Sequence, residues 1–280
     1  MDAPAIGYRS RMSPSMRPVG EQLREWRQRR RMSQLDLACE ADISTRHLSF
    51  VETGRSAPSR EMLLRLVERL EVPLRERNAL LLAGGFAPMF KERRLDDPEF
   101  GAARRAIELV LKGHRPYPAL AVDRHWQLAM MNDAVPLLLE GVAPELLEPL
   151  VNVLRLSLHP RGLAPRIANF AEWRGHLIAR LHAEIVASAD AQLDALMREL
   201  CAYPVPADPG PTTAVEMAGV AVPFQLRTAE GVLSFIGTTT VFGTPVDITL
   251  SELALETFFP ADEATAGWLQ RAASGVRSST

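Results

Sequence analysis

Two short helices separated by a tight polar turn are predicted for residues 33–54, and this segment constrains the fold more than any other. Ser33 and Ser44 each precede an apolar pattern of helical spacing, as N-cap residues do. Asp42 stands where the chain must reverse, and aspartate tolerates the left-handed conformation better than most residues. Apolar residues on both helices can pack together, namely Leu37, Ala38, Ala41, Ile43, Leu48 and Val51. The small Ala38 would let the helices approach closely at a steep angle.

The second of these helices leaves a polar face exposed. Its outward residues are Thr45, Arg46, His47 and Ser49, with Arg55 just beyond its end. These side chains supply the donors and acceptors that base edges and phosphates require. The pattern therefore predicts a helix-turn-helix whose second helix contacts double-stranded DNA, although a helical hairpin in any all-α domain can show similar spacing.

The same stretch resembles the helix-turn-helix of the Xre and lambda-repressor-like family. The matching residues are Ser33-Gln34, Leu37-Ala38, Ser44, Leu48-Ser49, Val51-Glu52 and Gly54. Asp42 departs from the glycine that this family usually has at the turn. The resemblance implies a DNA-binding domain, and we expect Gln34 to contact phosphate or a base and Ser44 to contact phosphate. We also expect a homodimer on a pseudo-palindromic site, because one short recognition helix reads few bases.

Three further helices are predicted around this pair, which makes a five-helix, all-α domain. We expect a helix over 20–31, a fourth helix capped by Ser59, and a fifth with Pro73 at its first position. Residues 1–95 hold 18 Lys and Arg against 12 Asp and Glu, net +6, and the remainder holds 14 against 22, net −8. A basic end of this kind is typical of proteins that contact nucleic acid. Some arginines on a helix must be ordinary solvated charges, and the candidate phosphate contacts are Arg24, Arg27, Arg29, Arg30, Arg31 and Arg55.

The chain from residue 96 onward predicts an α+β domain with a five-stranded antiparallel sheet. A helix should begin at Asp97-Pro98 and run to Lys112, before a hairpin of strands 119–122 and 126–131. Further predicted elements are a helix from Asn132-Asp133 through Leu139, a helical middle over 146–201, β-rich segments 220–227, 232–241 and 246–255, and a last helix over 262–272. Two strands, a helical insert and three strands is the element order of a PAS-like domain.

Most of residues 96–260 are similar to the C-terminal domain of MmyB-like regulators. The similarity is carried by residues 118–132, by the segment Asn152-Val-Leu-Arg-Leu-Ser-Leu-His-Pro160, and by Asn169 with the helix after it. It implies a PAS-like domain that binds a small apolar ligand such as a fatty acid.

Such a ligand needs a pocket of apolar side chains with a few polar anchors. Candidate lining residues are Trp126, Leu128, Met130, Phe224, Leu233 and Phe235. Each of them could equally be ordinary core. Arg155 and His159 could neutralise a carboxylate, or could pair with an internal Asp or Glu.

No pattern in the sequence indicates an enzyme, a metal site or a cofactor. Phosphate loops, dinucleotide fingerprints, nucleophile elbows and zinc-protease motifs are missing, and the six histidines have no metal-binding spacing. Cys39 and Cys201 lie in different predicted domains, so we expect no disulfide, a reducing cytoplasm, and Cys39 packed as a small residue. No apolar run is long enough to span a membrane.

We therefore expect a disordered arm at residues 1–17, a helix-turn-helix domain at 18–85, a linker at 86–97 and a ligand-sensing domain at 98–275. This organisation predicts a non-enzymatic transcriptional regulator. An alternative is a DNA-binding regulator or antitoxin whose C-terminal domain serves only dimerisation or partner binding.

Overall fold

The computed structural model describes residues 17–95, 97–206, 221–243 and 247–277. The chain divides between residues 91 and 92 into two compact units. The N-terminal unit is α-helical, and the C-terminal unit combines helices with one β-sheet. The predicted fold class, an all-α domain followed by an α+β domain, is thereby confirmed. Residues 1–16 of the predicted arm lie outside the described residues.

Five helices form the described part of the N-terminal unit: α1 (Val19–Arg29), α2 (Gln34–Glu40), α3 (Thr45–Glu52), α4 (Arg60–Arg69) and α5 (Leu74–Ala83). The predicted caps are confirmed, because the hydroxyls of Ser33, Ser44 and Ser59 each accept a hydrogen bond from a first-turn N–H. Asp42 has a φ of 53°, the left-handed conformation predicted for the turn.

The core of this unit sets the position of α3. Leu23, Leu37 and Leu48 are completely buried in it. Where α1 crosses α3, a Cβ on Gly20 would lie 2.1 Å from the carbonyl oxygen of Val51. Only glycine allows so close an approach at that position.

Two local predictions for this unit are wrong. Pro73 has an extended ψ of 148° and occupies the N-cap position before α5, one residue earlier than expected. Cys39 is exposed rather than packed, because Leu37 and Ala38 already fill the buried side of α2.

The C-terminal unit contains a five-stranded antiparallel sheet, as predicted. Its strands are β1 (Ala119–Val122), β2 (Leu128–Met131), β3 (Phe224–Thr228), β4 (Gly231–Val241) and β5 (Ala254–Pro260). They are arranged in the order β2-β1-β5-β4-β3, and every neighbouring pair is antiparallel. The last strand therefore lies in the middle of the sheet, between the two hairpins.

Helices cover both faces of this sheet. They are α6 (Gly101–Gly113), α7 (Val153–Leu158), α8 (Phe170–Ser188), α9 (Ala191–Ala202), α10 (Ile248–Ser251) and α11 (Glu263–Arg277). Leu177 and Leu181 of α8 share one core with Phe235 of β4. Ile107 of α6 packs in a second core with Ala121 of β1.

The prediction of a β-rich segment over residues 246–255 is wrong. Asp247 accepts a hydrogen bond from the N–H of Thr249 and starts helix α10, so β5 begins only at Ala254. The β-branched Ile248 and Thr249 suggested a strand, but a side-chain cap overrides that preference. Residues 244–246 lie outside the described residues. In the predicted segment 220–227, residue 220 is also outside them, and strand β3 begins only at Phe224.

Four further boundaries differ from the prediction. Trp126 lies in the turn before β2 with a φ of 63°, because Asp123 accepts hydrogen bonds from the N–H groups of His125 and Gln127. The helix expected through Leu139 is only a 3-10 turn at Pro136–Leu138. The helical middle is interrupted after α7, where His159 is extended before Pro160. The last helix runs beyond residue 272, to Arg277.

Candidate nucleic-acid interface and ligand site

Helix α3 presents a polar face to the surface of the N-terminal unit. Leu48 and Val51, which are 0% and 1% exposed, pack the inner side of α3 into the core of this unit. Successive residues are about 100° apart around a helix, so Arg46 and Phe50 lie on the opposite side. Arg46 is exposed, and the neighbouring Thr45, Ser49 and Phe50 are half-buried. The face on which the sequence predicts base contacts is therefore accessible.

A buried ion pair fixes α1 to α3. Arg27 donates to the two carboxylate oxygens of Glu52 at 2.7 and 2.9 Å, and to the carbonyl oxygen of Met32 at 2.9 Å. The amide of Gln34 donates to the same carboxylate at 2.8 Å. The side chains of Arg27 and Glu52 are 10% and 1% exposed. Arg27 therefore orients α3, and its prediction as a phosphate contact is wrong.

Two predicted DNA contacts already have intramolecular partners. One is Gln34, which bonds Glu52, and the other is Arg30, which donates to the carbonyl oxygens of Leu70 and Glu71 at 2.9 and 3.0 Å. Arg29 is exposed, with its guanidinium carbon 5.6 Å from the centroid of a Trp26 ring. The DNA contacts of these residues stay predictions.

The two ends of α3 carry the remaining predicted contacts. Ser44 Oγ accepts a hydrogen bond from the N–H of His47 at 3.1 Å, which leaves its hydroxyl proton able to donate. The Nε2 atom of His47 is buried and has no hydrogen-bond partner among the described residues. At the other end, the exposed Arg55 lies with its guanidinium carbon 5.9 Å from the Phe50 ring centroid. Phe50 was missed in the sequence, although an aromatic residue four positions after Arg46 on a polar face was the available signal.

The candidate ligand-binding residues do not form one group. Trp126, Phe224, Leu233 and Phe235 belong to the core beneath α8 and are at most 5% exposed. Leu128 is half-buried opposite Val122 of that core. Met130 packs in the second core beneath α6, on the other face of the sheet. The structure therefore does not bring Met130 together with the other apolar candidates.

Arg155 has an internal acidic partner. Its guanidinium donates to the two carboxylate oxygens of Glu199 at 2.8 Å each, and Tyr203 donates its hydroxyl to the same carboxylate at 2.5 Å. The hydrogen bonds from Arg155 hold the pKa of the Glu199 carboxyl below its usual value. His159 accepts the N–H of Arg161 and lies edge-on to the Tyr203 ring. Arg155 thus adopts the internal pairing that the sequence left open.

A polar cluster lies between α8 and the sheet. Arg180 donates to the two oxygens of Glu256 on β5 at 3.1 and 2.7 Å, and lies 3.4 Å from the carboxylate of Glu184. The indole N–H of Trp126 donates to Glu184 at 2.8 Å. The Arg180 guanidinium lies 4.5 Å from the centroid of the Trp126 ring, and the Thr239 hydroxyl donates to Glu256 at 3.1 Å. We call these five residues the Arg180 cluster.

The Arg180 cluster places one guanidinium against two carboxylates. Burial raises the pKa of the Glu184 carboxyl, although the hydrogen bonds from Trp126 and Arg180 oppose that change. Burial and the charge of Arg180 lower the pKa of the neighbouring His176 imidazole. When both carboxylates are ionised the cluster carries a net negative charge, so an added anion would have to displace one of them.

Beside this cluster, the residues that the structure describes leave the helix-facing side of the second half of β4 uncovered. Cross-strand partners share a face, so Gly237 and Val241 lie on the same side as Phe258 and Glu256 of β5. Val241 is 63% exposed, whereas Phe235 on the same strand is completely buried. A Cβ on Gly237 would meet nothing closer than the Phe258 ring at 3.7 Å. On this half of the sheet the polar pair Thr239–Glu256 therefore lies between the apolar positions Gly237–Phe258 and Val241–Ala254, an arrangement that the sequence did not single out.

The described ranges contain a further cleft, and neither a metal cluster nor a membrane-spanning helix is found in them. A cleft of about 400 Å³ lies between the β3–β4 turn and α11, lined by residues that include Val232, Trp268 and Arg271. No three His, Cys, Asp or Glu side chains among the residues described could hold a metal ion together. No helix in this part of the chain is long and apolar enough to cross a membrane.

Two family models match the chain. Residues 103–272 match the MmyB-like transcription regulator ligand binding domain, and residues 23–77 match a helix-turn-helix. No curated protein matches the chain. The first match spans more than half of the sequence and the second contains α2 and α3. The chain therefore belongs to the family of MmyB-like transcription regulators, with an Xre-type helix-turn-helix DNA-binding domain followed by an α+β ligand-binding domain.

Proposed function

We propose that the protein is a homodimeric, sequence-specific regulator that inserts α3 into the major groove of an operator and changes its operator affinity when a small apolar ligand binds. The observation that carries the DNA-binding part is the arrangement of α3, whose inner residues Leu48 and Val51 are buried while Arg46 on the opposite side is exposed. The ligand acts by binding alone, without a catalytic step.

The contacts on DNA divide by chemistry. We assign base edges to Thr45, Arg46 and Ser49, of which Arg46 is exposed and the other two are half-buried. We assign phosphate contacts to residues at or near the ends of α1, α2 and α3, namely Arg29, Arg30, Gln34, Ser44, His47 and Arg55. Replacement of Arg55 by Gln should flatten the slope of log affinity against log salt by about one unit.

A fatty acid is the first ligand class to test. Gly237, Val241 and Phe258 offer apolar contacts, and the Arg180–Glu256 pair lies between the Phe258 and Val241 positions. Because Arg180 is already paired with Glu256 and Glu184, a fatty-acid carboxylate must displace one of these two carboxylates, whereas an uncharged ligand leaves both contacts intact. Binding of a fatty acid can therefore be compared with binding of an uncharged ligand of the same chain length.

A short tether supports coupling between the two domains. The side chain of Asn78 bonds the backbone of Met89 and Phe90, which ties these residues to α5. The Thr249 hydroxyl bonds the backbone of Arg93, which ties Arg93 to α10. Only residues 91 and 92 separate the two anchored points. A ligand can change DNA affinity only if it prefers one arrangement of the dimer over another.

The test uses the full-length protein and an operator selected from random duplexes. Calorimetric titration with decanoate, with decanol as the uncharged control of equal chain length, measures binding, and operator affinity is then measured with each ligand present. Binding of either ligand with a change in operator affinity supports the proposal. Binding without that change refutes the switch, and failure of both ligands to bind favours a C-terminal domain that serves dimerisation or partner contact.

A further inference from the structure

Phe50 is an aromatic ring in the middle of an otherwise polar helix face. It follows Leu48 by two residues, so it points about 200° away from that buried side chain. It lies four residues after Arg46, on the same side of α3. The apolar residues Leu48 and Val51 are buried in the core, whereas Phe50 remains half-buried at the surface. The core of the N-terminal unit therefore does not account for an aromatic residue here.

Two arginines surround this ring. The guanidinium carbons of Arg46 and Arg55 lie 5.4 and 5.9 Å from its centroid, at the distance of cation–π contacts. The N–H groups of Arg55 and Ser56 both donate to the Phe50 carbonyl oxygen, at 2.8 and 3.1 Å. The backbone after α3 thus wraps around Phe50 and keeps the second cation beside the ring. The result is an apolar patch between two positive charges.

The chemistry of the major groove offers one partner for such a patch. Base edges there present hydrogen-bond donors and acceptors, together with the 5-methyl group of thymine. A phenyl ring can neither donate nor accept a conventional hydrogen bond. We propose that Phe50 is a specificity-determining residue that contacts a thymine methyl group, while Arg46 and Arg55 hold the ring against the DNA. The inference rests on the proposed function, because it requires α3 to enter the major groove.

The experiment removes single methyl groups from the DNA. Each thymidine of the selected operator is replaced in turn by deoxyuridine, and the affinity of full-length protein is measured by fluorescence anisotropy. At one position in each half-site the wild-type protein should bind about fourfold more weakly without the methyl group, the size expected for burial of one such group. In Phe50→Ala this ratio should fall to about one.

Two further variants make the outcome decisive. Phe50→Leu keeps an apolar side chain and should retain part of the methyl preference, provided that its thermal unfolding matches wild type. Leu82→Ala removes a 45% exposed apolar side chain from α5 and should keep the full fourfold ratio. An unchanged ratio in Phe50→Ala, or no thymine-sensitive position, overturns the inference while the proposed function stands. A wild-type protein without any sequence preference overturns both.

Discussion

Arg46 is the exposed side chain on which the proposed base recognition most depends. Replacement by Ala should weaken operator binding by about 1–3 kcal/mol and weaken binding to random DNA much less, because only the specific complex contains the base contact. Parallel measurements on both duplexes decide this. Arg198→Ala, which removes a 75% exposed arginine side chain from α9, serves as the matched control. Equal losses on both duplexes would show that Arg46 contacts phosphate instead.

Burial of the Glu184 carboxyl should make the free energy of unfolding depend on pH. Burial raises the pKa of its carboxyl in the folded chain, so the folded chain holds this proton more tightly than the unfolded chain does. The stabilisation is fully present below the unfolded pKa, near 4.5, and is lost as pH rises through the higher folded pKa. Glu184→Gln keeps an acceptor for Trp126 and should therefore gain stability over wild type at pH 7. Urea unfolding between pH 4 and 7 should show that gain disappear toward pH 4, and a constant difference would contradict the assignment.

At the scale of elements, the orientation of α3 depends on an ion pair with α1. Arg27→Met leaves the carboxylate of Glu52 buried without its cation, which should lower the free energy of unfolding by about 3–5 kcal/mol. The control is Arg17→Met, which breaks an ion pair whose side chains are 62% and 42% exposed and should cost below about 1 kcal/mol. Denaturant unfolding of the full chain provides the comparison. Similar losses in the two variants would mean that burial of the Arg27 pair has little effect.

The sheet of the C-terminal domain shows how elements distant in sequence create the candidate ligand surface. β5 enters between β1 and β4, and this insertion places Glu256 against Arg180 of α8, 76 residues earlier in the chain. β3 pairs with β4 only up to Phe235, so the later residues of β4 have no β3 partner. The open apolar surface around Val241 thus follows from strand pairing rather than from any local motif.

For the whole molecule, the proposed dimer gives a geometric prediction. α3 has eight residues and is about 12 Å long, so one copy can read only a few base pairs. We expect two protomers per operator, with half-sites about one helical turn apart. Native mass spectrometry of the complex measures the stoichiometry. Five base pairs inserted between the half-sites should weaken binding strongly because they rotate one half-site to the other side of the duplex, and one protomer per operator would contradict the dimer.

The sequence by itself determined the features that depend on neighbouring residues. Each serine cap of α2, α3 and α4 bonds a backbone N–H only three residues later in the sequence. The left-handed conformation of Asp42 is likewise confined to the short turn between α2 and α3. The apolar spacing of α2 and α3 likewise contained the information needed to predict their shared core.

Only the tertiary structure decided which distant residues meet. Met130 lies beneath α6 because the pairing of β2 with β1 puts it on that face, and a shift of one residue would reverse it. Arg155 pairs with Glu199, 44 residues away, and Phe50 gains its second cation from the chain that turns back after α3. The physical reason is that capping and turn formation use hydrogen bonds along the local backbone, whereas strand order, side-chain pairing and surface exposure depend on how remote segments pack together.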